Sequence, residues 1–353
     1  MPSKKKNDLT ALFRDLADHL RSRLPFVIYR KPTAHNIYAI FQDDNDLIYD
    51  FSLTQRGFVF SPFDDLTKTI LLRPDREVVV TPKSFRGSSP FKKKVADSNK
   101  DGYVAMVSKA IQLIGEGKLS KVVLSRKIRA TTLKSPFGLF GDALLRYPDA
   151  FCYLWYHPKV GFWFGATPET LVKTDRETME TMALAATFPV EENKAPTWYE
   201  KEFDEQQFVT DFIVDRLSTK IGELQVKGPE PIQAGHLWHL RSTIAGKLNS
   251  DSKLSEVVSL LHPTPAVCGI PQETAKRFIQ KNEGYNREFY TGFLGEINFE
   301  TNSSSHLFVN LRCAKIEDGL VSIYVGGGIT KDSDPEKEWE ETEHKCDTIF
   351  GLL

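Results

Sequence analysis

Apolar runs of strand length come several at a time along this chain, and helical periodicity is confined to the stretches between them. FVIYR from Phe26, IYAIF from Ile37 and VVV from Val78 precede KVVLSRKIRA from Lys121, FCYLWY from Phe151, GFWFG from Gly161, ETLVK from Glu169 and METMALAA from Met179; HLFVNLRCAKI from His306 and LVSIYV from Leu320 come later. The helical segments are equally plain. Asp8 caps one in which Leu9, Leu12, Phe13, Leu16 and Leu20 share a face and which Pro25 stops. YVAMVSKAIQLIGEG, from Tyr103, ends at Gly115 and Gly117, another helix spans roughly Tyr199 to Ile221, and the last starts near Pro335. Strands in groups, with helices between the groups, predict a mixed α+β layered fold rather than a regular βαβ repeat.

The chain has 353 residues, 41% hydrophobic and 26% charged, enough to bury a large core as one big domain or two fused lobes. That composition excludes a disordered chain, a collagen and a coiled coil. A net charge of −1 gives no overall attraction for nucleic acid or an anionic membrane. Cys152, Cys268, Cys313 and Cys346 form no CxxC pair, neither a zinc pattern nor a disulfide framework, which fits a reducing cytoplasm. The basic start MPSKKKNDLT has no apolar run behind it, so it does not read as a signal peptide, and no stretch approaches the ~18–20 apolar residues of a membrane helix. Ser84 to Gly102, rich in Ser, Gly, Lys and Pro, reads as a loop, and its KKK run as solvated.

Several clusters could carry chemistry. In KEFDEQQF, Glu202 and Glu205 share one helix face; in DPEKEWEETEHK, Glu338 and Glu341 do the same, and Lys345 completes the stripe. If the two faces meet, four carboxylates converge and need a cation, and all-oxygen ligation with few protein ligands suits Mg²⁺. Two solvated acidic faces would have the same spacing. VGGGIT, Val325 to Thr330, reads either as a backbone anion site or as a tight turn. Arg312 sits in a strand, LFVNLRCA, that is otherwise nearly all apolar; turned inward it needs a carboxylate partner, structural or ligand. Lys121, at the head of KVVLSR, is either solvated or buried and basic. His236 and His239 in HLWHL point to opposite faces of a strand, a weak zinc pattern, and HPTPAVCGIP is a rigid loop.

Taken in order, KVVLSR, ATPETLVK, MALAAT, KEFDEQQF, LWHLRSTIAGKL, HPTPAVCGIP, REFYTGFLGEI, LFVNLRCA, VGGGI and DPEKEWEETEHK resemble the chorismate-utilising enzyme family, and within it the chain is most similar to the isochorismate synthases. The resemblance covers Tyr103 to the C-terminus. It implies an α+β fold of the anthranilate synthase component I type: two large antiparallel β-sheets packed face to face, with flanking helices. Residues 1–95 would be an N-terminal region integrated into the same fold, and 96–353 the chorismate-binding catalytic region. It implies Mg²⁺ and the substrate chorismate. Lys121 would be the base that activates water and Glu169 the general acid. Glu205 and Glu341 would bind Mg²⁺ directly, with Glu202 and Glu338 supporting through water. Arg312, Tyr290, Lys345 and the backbone at Gly326 and Ala266 would hold the carboxylates; His239, Thr187, Ala186 and Thr264 would line the ring.

These roles suit water attacking C2 of the ring while the C4 hydroxyl leaves. A cation on the ring carboxylate draws electron density from the diene. Lys121 must be neutral and Glu169 protonated, each away from ordinary values of about 10.4 and 4.3, and desolvation pushes both that way. Three positions depart from the family pattern: Ala186 stands where Gly is usual, Gln206 where a His adjoins the metal Glu, and Gly-Gly-Gly where Gly-Ala-Gly is usual. Lys121 argues against the amine-using members, so no glutamine amidotransferase partner is expected, and the default state is a cytoplasmic monomer. Salicylate synthases share the base and then eliminate pyruvate; the HPTPAV loop is more like the isochorismate enzymes. A non-catalytic metal- or anion-binding protein on this fold is the reading from another class. Isochorismate would feed menaquinone or siderophore synthesis.

Overall fold

The structure, a computed structural model, describes residues 9–82, 99–190, 196–234, 237–299 and 304–353, without the side chains of residues 187, 189, 201, 234 and 237. The chain begins with α1 (Leu9–Arg21), β1 (Phe26–Arg30), β2 (Ile37–Phe41), β3 (Ile48–Tyr49), β4 (Gly57–Ser61), β5 (Ile70–Leu72) and β6 (Arg76–Val80). It continues as α2 (Lys100–Gly115), β7 (Lys121–Thr131), α3 (Pro136–Arg146), β8 (Phe151–His157), β9 (Gly161–Thr167), β10 (Thr170–Asp175), β11 (Thr178–Pro189), α4 (Glu200–Leu217), β12 (Ile221–Ala234) and β13 (Leu237–Leu248). It ends with α5 (Leu254–Leu261), β14 (Gly269–Ile270), α6 (Gln272–Asn282), β15 (Phe293–Phe299), β16 (Ser304–Val309), β17 (Cys313–Glu317), β18 (Leu320–Ile329) and α7 (Pro335–Phe350).

Among the described residues the strands form two nine-stranded antiparallel sheets, ordered β14-β7-β18-β17-β9-β8-β1-β2-β6 and β12-β13-β11-β10-β16-β15-β4-β5-β3. The strands before α2 extend one edge of each sheet. Alternation along a strand explains the layers. On β8, Phe151, Tyr153 and Trp155 turn into the space between the sheets, where they meet Phe58, Phe60, Trp163, Phe289 and Phe308. Cys152, Leu154 and Tyr156 turn the other way, onto a layer with Leu12, Leu16, Phe140 and Leu144 of α1 and α3 and Ile349 of α7. Val209 and Ile213 of α4 and Val257 and Val258 of α5 cover the outside of the second sheet. A strand covered on both faces reads as a continuous apolar run, which is why FCYLWY carries no polar alternation. All four cysteines are buried and none is in a disulfide, and among the described residues no helix is long and apolar enough to cross a membrane.

The structure departs from the sequence expectations at particular points. HLFVNLRCAKI is two strands, β16 in the second sheet and β17 in the first, and Arg312 lies at the crossing between them with a left-handed φ of 48°. Asn310 anchors that crossing: its amide donates to the Phe289 carbonyl (2.8 Å) and its side-chain oxygen accepts from the Tyr153 hydroxyl (2.6 Å). VGGGI is not a turn. Gly326, Gly327 and Gly328 continue β18, opposite Ser125, Leu124 and Val123 of β7. The α4 helix stops at Leu217, because Ile221 is drawn into β12 opposite Leu248. The α2 helix starts at Lys100, where the Asn99 side chain accepts from the Gly102 N–H, so the end of the expected loop is helical. The rest of that loop, residues 84–98 with the KKK run, lies outside the described residues, as do His236 and the first eight residues.

The aromatic layer between the sheets is sensitive to truncation. Phe151 stacks on Phe308 across the two sheets with ring centroids 4.1 Å apart. Phe151→Ala is expected to cost about 3–5 kcal/mol, the range for deleting a buried aromatic ring. Urea denaturation followed by circular dichroism measures it, with the midpoint falling at constant slope.

Candidate functional site

Two neighbouring segments cross from one sheet to the other, and they carry Glu169 and Arg312 into the space between the sheets. Pro168 and Glu169 join β9 to β10; Asn310, Leu311 and Arg312 join β16 to β17. The crossings are hydrogen-bonded together: Val309 N–H donates to the Glu169 carbonyl (3.0 Å), and Ala166 N–H to the Arg312 carbonyl (3.1 Å). Between them and the sheets lies a cavity of about 130 Å³, with Glu169, His239, Ala266, Tyr290, Arg312, Gly326 and Lys345 in its walls.

Burial sets the electrostatics here. The Glu169 carboxyl is 4% exposed. Desolvation pushes its pKa up to about 8, against the pull of Arg312 and Lys121. It is a neutral acid at pH 7. Desolvation lowers Arg312 to about 10, while Tyr147 and Glu169 oppose the shift, so the guanidinium stays charged. His239 accepts from Arg312 Nη2 at Nε2 (3.0 Å) and donates from Nδ1 to the Ala186 carbonyl (3.1 Å), a pattern that fixes its tautomer. Tyr290 is buried, its phenol pushed well up by desolvation, and it stacks on Tyr324 (5.4 Å), which stacks on Trp163 (5.3 Å). Lys345 Nζ donates to the Gly326 carbonyl (3.1 Å) and pairs with Glu341 (2.6 Å).

Lys121 opens β7 beside β14 and is buried, its Nζ 2.7 Å from Glu205 Oε1. A side chain at Gly328 would press on this lysine, with a Cβ only 2.9 Å from its Cε and 3.8 Å from Glu205 Oε1. A Cβ at Gly327 would lie 3.0 Å from Glu338 Oε2. Gly327 and Gly328 therefore make room for charged side chains, while a Cβ at Gly326 would meet the Leu124 carbonyl at 2.6 Å.

Three of the four glutamates come within electrostatic reach of one another. Glu338 is raised to about 7 by burial and then by Glu341 and Glu205, with Ser333 and Lys345 opposing. Its Oε1 accepts from Ser333 Oγ (2.7 Å), and its Oε2 is buried with no hydrogen-bond partner among the described residues. Glu202 is not brought to this group by its visible bond: its Oε2 accepts from the Tyr199 N–H (2.9 Å) at the start of α4. Among the described residues no three of His, Cys, Asp or Glu close around one point in this arrangement. The donor chemistry still fits a hard divalent cation, since an orphaned carboxylate oxygen beside two further carboxylates is what Mg²⁺ satisfies.

Thr264 is buried, its hydroxyl without a partner among the described residues, in a turn where Val267 and Cys268 N–H donate to its carbonyl. Thr187 lies on β11, and its side chain is outside the described set. Ala186 has a φ of 54° at an irregularity in the β11–β13 pairing. That left-handed conformation is the physical reason glycine suits this position. Gln206 donates to the Ala183 carbonyl (2.9 Å) and to Ser242 (3.1 Å), a buried structural role. Sequence reasoning missed Val123, Leu311 and Tyr324 in the cavity wall. Tyr324 was within reach of the pattern, because it stands two residues before Gly326 on the same face of a strand.

A model of the chorismate binding enzyme family matches residues 65–353. Isochorismate synthase MenF of Escherichia coli (strain K12) is 32% identical over 270 residues, 72% of this chain and 61% of that protein. Isochorismate synthase EntC of the same organism is 32% identical over 262 residues, 70% of this chain and 66% of that protein. The match thus spans less than two thirds of the length of these relatives. A solved structure assigned as a 2,3-dihydroxybenzoate-specific isochorismate synthase, DhbC from Bacillus anthracis, superposes with a TM-score of 0.81 at 23% identity, over 97% of this chain and 99% of that one. At that identity the likeness is one of fold: the same two large antiparallel sheets with flanking helices.

The strain at Ala186 gives a direct test of this part of the site. Ala186→Gly is expected to stabilise the protein by about 1 kcal/mol, the relief of a left-handed alanine less the extra chain entropy of glycine. Denaturant unfolding at constant slope measures it, and no gain would mean that the local backbone is not strained there.

Proposed function

This chain belongs to the chorismate-binding enzyme family, and from that premise we propose that it is an isochorismate synthase, adding water at C2 of chorismate with loss of the C4 hydroxyl. The observation that carries the reading is the buried Glu169, raised to about 8 and within electrostatic reach of both Lys121 and Arg312. A neutral carboxylic acid and a neutral amine near each other are what a double proton transfer across a ring requires.

In this reading Lys121 takes a proton from the attacking water and Glu169 delivers one to the departing hydroxyl. Arg312, oriented by His239, pairs with a substrate carboxylate; Tyr290, Thr264, Lys345 and the backbone at Gly326 and Ala266 orient the rest, with Ala186 and Thr187 beside the ring. Glu205 of α4 and Glu341 and Glu338 of α7 would hold Mg²⁺, with Glu202 one turn before Glu205 on α4. When bound, the cation supplies Lewis-acid polarisation of the ring carboxylate. The enzyme would work in the cytoplasm as a monomer, without an amidotransferase, its product serving menaquinone or siderophore synthesis.

Purified protein incubated with chorismate and Mg²⁺ is expected to yield isochorismate by chromatography, with neither pyruvate nor salicylate fluorescence; stoichiometric pyruvate with salicylate would make it a salicylate synthase. EDTA should abolish turnover, and Glu205→Gln and Glu341→Gln should nearly do so while the circular dichroism spectrum is retained. Full activity in EDTA would remove the metal from the mechanism.

The acid has its own signature. Glu169 is active when protonated, so its contribution is present below about pH 8 and is lost as pH rises through that value. The rate constant kcat/KM should fall above about pH 8, and Glu169→Gln should lose about 10²–10⁴-fold in kcat while binding chorismate. A variant retaining the wild-type rate would reassign the proton donor.

A further inference from the structure

Behind the cavity wall lies a second charged group that the reaction above does not use. Arg287 and Glu283, at the C-terminal side of α6, form a bidentate ion pair with side chains 2% and 1% exposed. Arg287 Nε and Nη2 donate to the two carboxylate oxygens (2.8 and 2.5 Å). The remaining donors reach two separate backbone segments: Nη2 bonds the Val123 carbonyl on β7 (2.8 Å), and Nη1 bonds the Val267 carbonyl (2.9 Å) and Thr291 Oγ1 (3.2 Å). Glu283 Oε1 also accepts from the Ser125 N–H and hydroxyl, each at 2.7 Å. The guanidinium lies 4.6 Å from the ring centroid of Phe63 and 5.6 Å from that of Tyr290.

Stability alone is a weak reason to bury such a pair, since well-packed apolar residues are often as stable as a buried ion pair. What apolar residues cannot do is hold two carbonyls of different segments at a set separation, and a planar guanidinium can. The segments it joins are those that carry Lys121, Ala266 and Tyr290, and Ser125 faces Gly326 in the β7–β18 ladder.

We propose that the Arg287–Glu283 pair is a positioning element, setting the strand that carries Lys121 against the Thr264–Val267 loop and Tyr290. The proposal rests on the functional reading above for its effect on catalysis, but its geometric content does not. Arg287→Lys keeps the charge and loses the fork; Glu283→Gln keeps the shape and loses the charge; Ser125→Ala removes one hydroxyl donor to Glu283 and leaves the ion pair in place.

The experiment compares these variants with wild type by steady-state turnover of chorismate with Mg²⁺, well below each melting transition, and by hydrogen exchange of the amides of residues 121–126 and 263–270. Arg287→Lys is expected to lose roughly 10²-fold in kcat/KM, the scale of a small misplacement of reacting groups. Exchange should quicken in both segments together, while the alkaline limb assigned to Glu169 stays at the same pH. Should Arg287→Lys fail to fold, Ser125→Ala is read the same way, with a loss of about threefold to tenfold. A lowered melting temperature with kcat/KM within threefold of wild type would overturn the proposal, and so would unchanged exchange in either segment. If wild type leaves chorismate untouched, the functional reading fails separately. Exchange then decides the clamp: coupled quickening upholds it, and its absence overturns it.

Discussion

Two crossings, Thr167 to Thr170 and Val309 to Cys313, carry the chain from one sheet to the other side by side and hydrogen-bond to each other as they pass. Sheets packed face to face normally fill the space between them with apolar side chains. Here Phe151, Trp155, Trp163 and Phe308 do so over most of the layer. At the crossings the backbone itself enters that layer and must have its polar groups paired, which the reciprocal bonds achieve. A polar opening in an otherwise aromatic layer results, and Glu169 and Arg312 are held in it because they are part of the crossing segments.

Burial then decides how these groups behave. A carboxyl and a guanidinium that enter the layer lose their hydration, so Glu169 rises and Arg312 falls, each moderated by the other. At the other end of the site the polar groups have partners: Lys121 Nζ meets Glu205 and Lys345 Nζ meets Glu341. Glu338 keeps one buried oxygen without a hydrogen-bond partner among the described residues. The glycines of β18 permit this crowding. A strand that carried side chains there would press against Lys121 and Glu338, so the pattern VGGGI serves the charged groups around it as much as the ladder it belongs to.

Much of the architecture was readable from the sequence. Continuous apolar runs marked the strands, because each buries one face against an aromatic layer and the other against helices. The i, i+3 glutamates were correctly placed on helices. The failures share a cause. LFVNLRCA looks like one strand because nothing local records that its halves belong to different sheets; the break depends on Asn310 reaching Phe289 and Tyr153. The end of α4 depends on Leu248 pairing with Ile221, and the spacing of Glu202 does not distinguish a helix cap from a ligand position.

The sequence by itself determined the elements, the layered class and the residue types available for chemistry, since these follow from periodicities of two and 3.6 residues and from intrinsic side-chain properties. Tertiary structure decided which of those residues meet. Lys121 finds Glu205 across 84 residues and Arg312 finds His239 across 73. Desolvation, which converts an ordinary glutamate into an acid that keeps its proton near neutrality, exists only once two sheets have closed over it. Neither contact nor burial is a property of any short stretch of chain; both arise from the packing of segments that the sequence lists far apart.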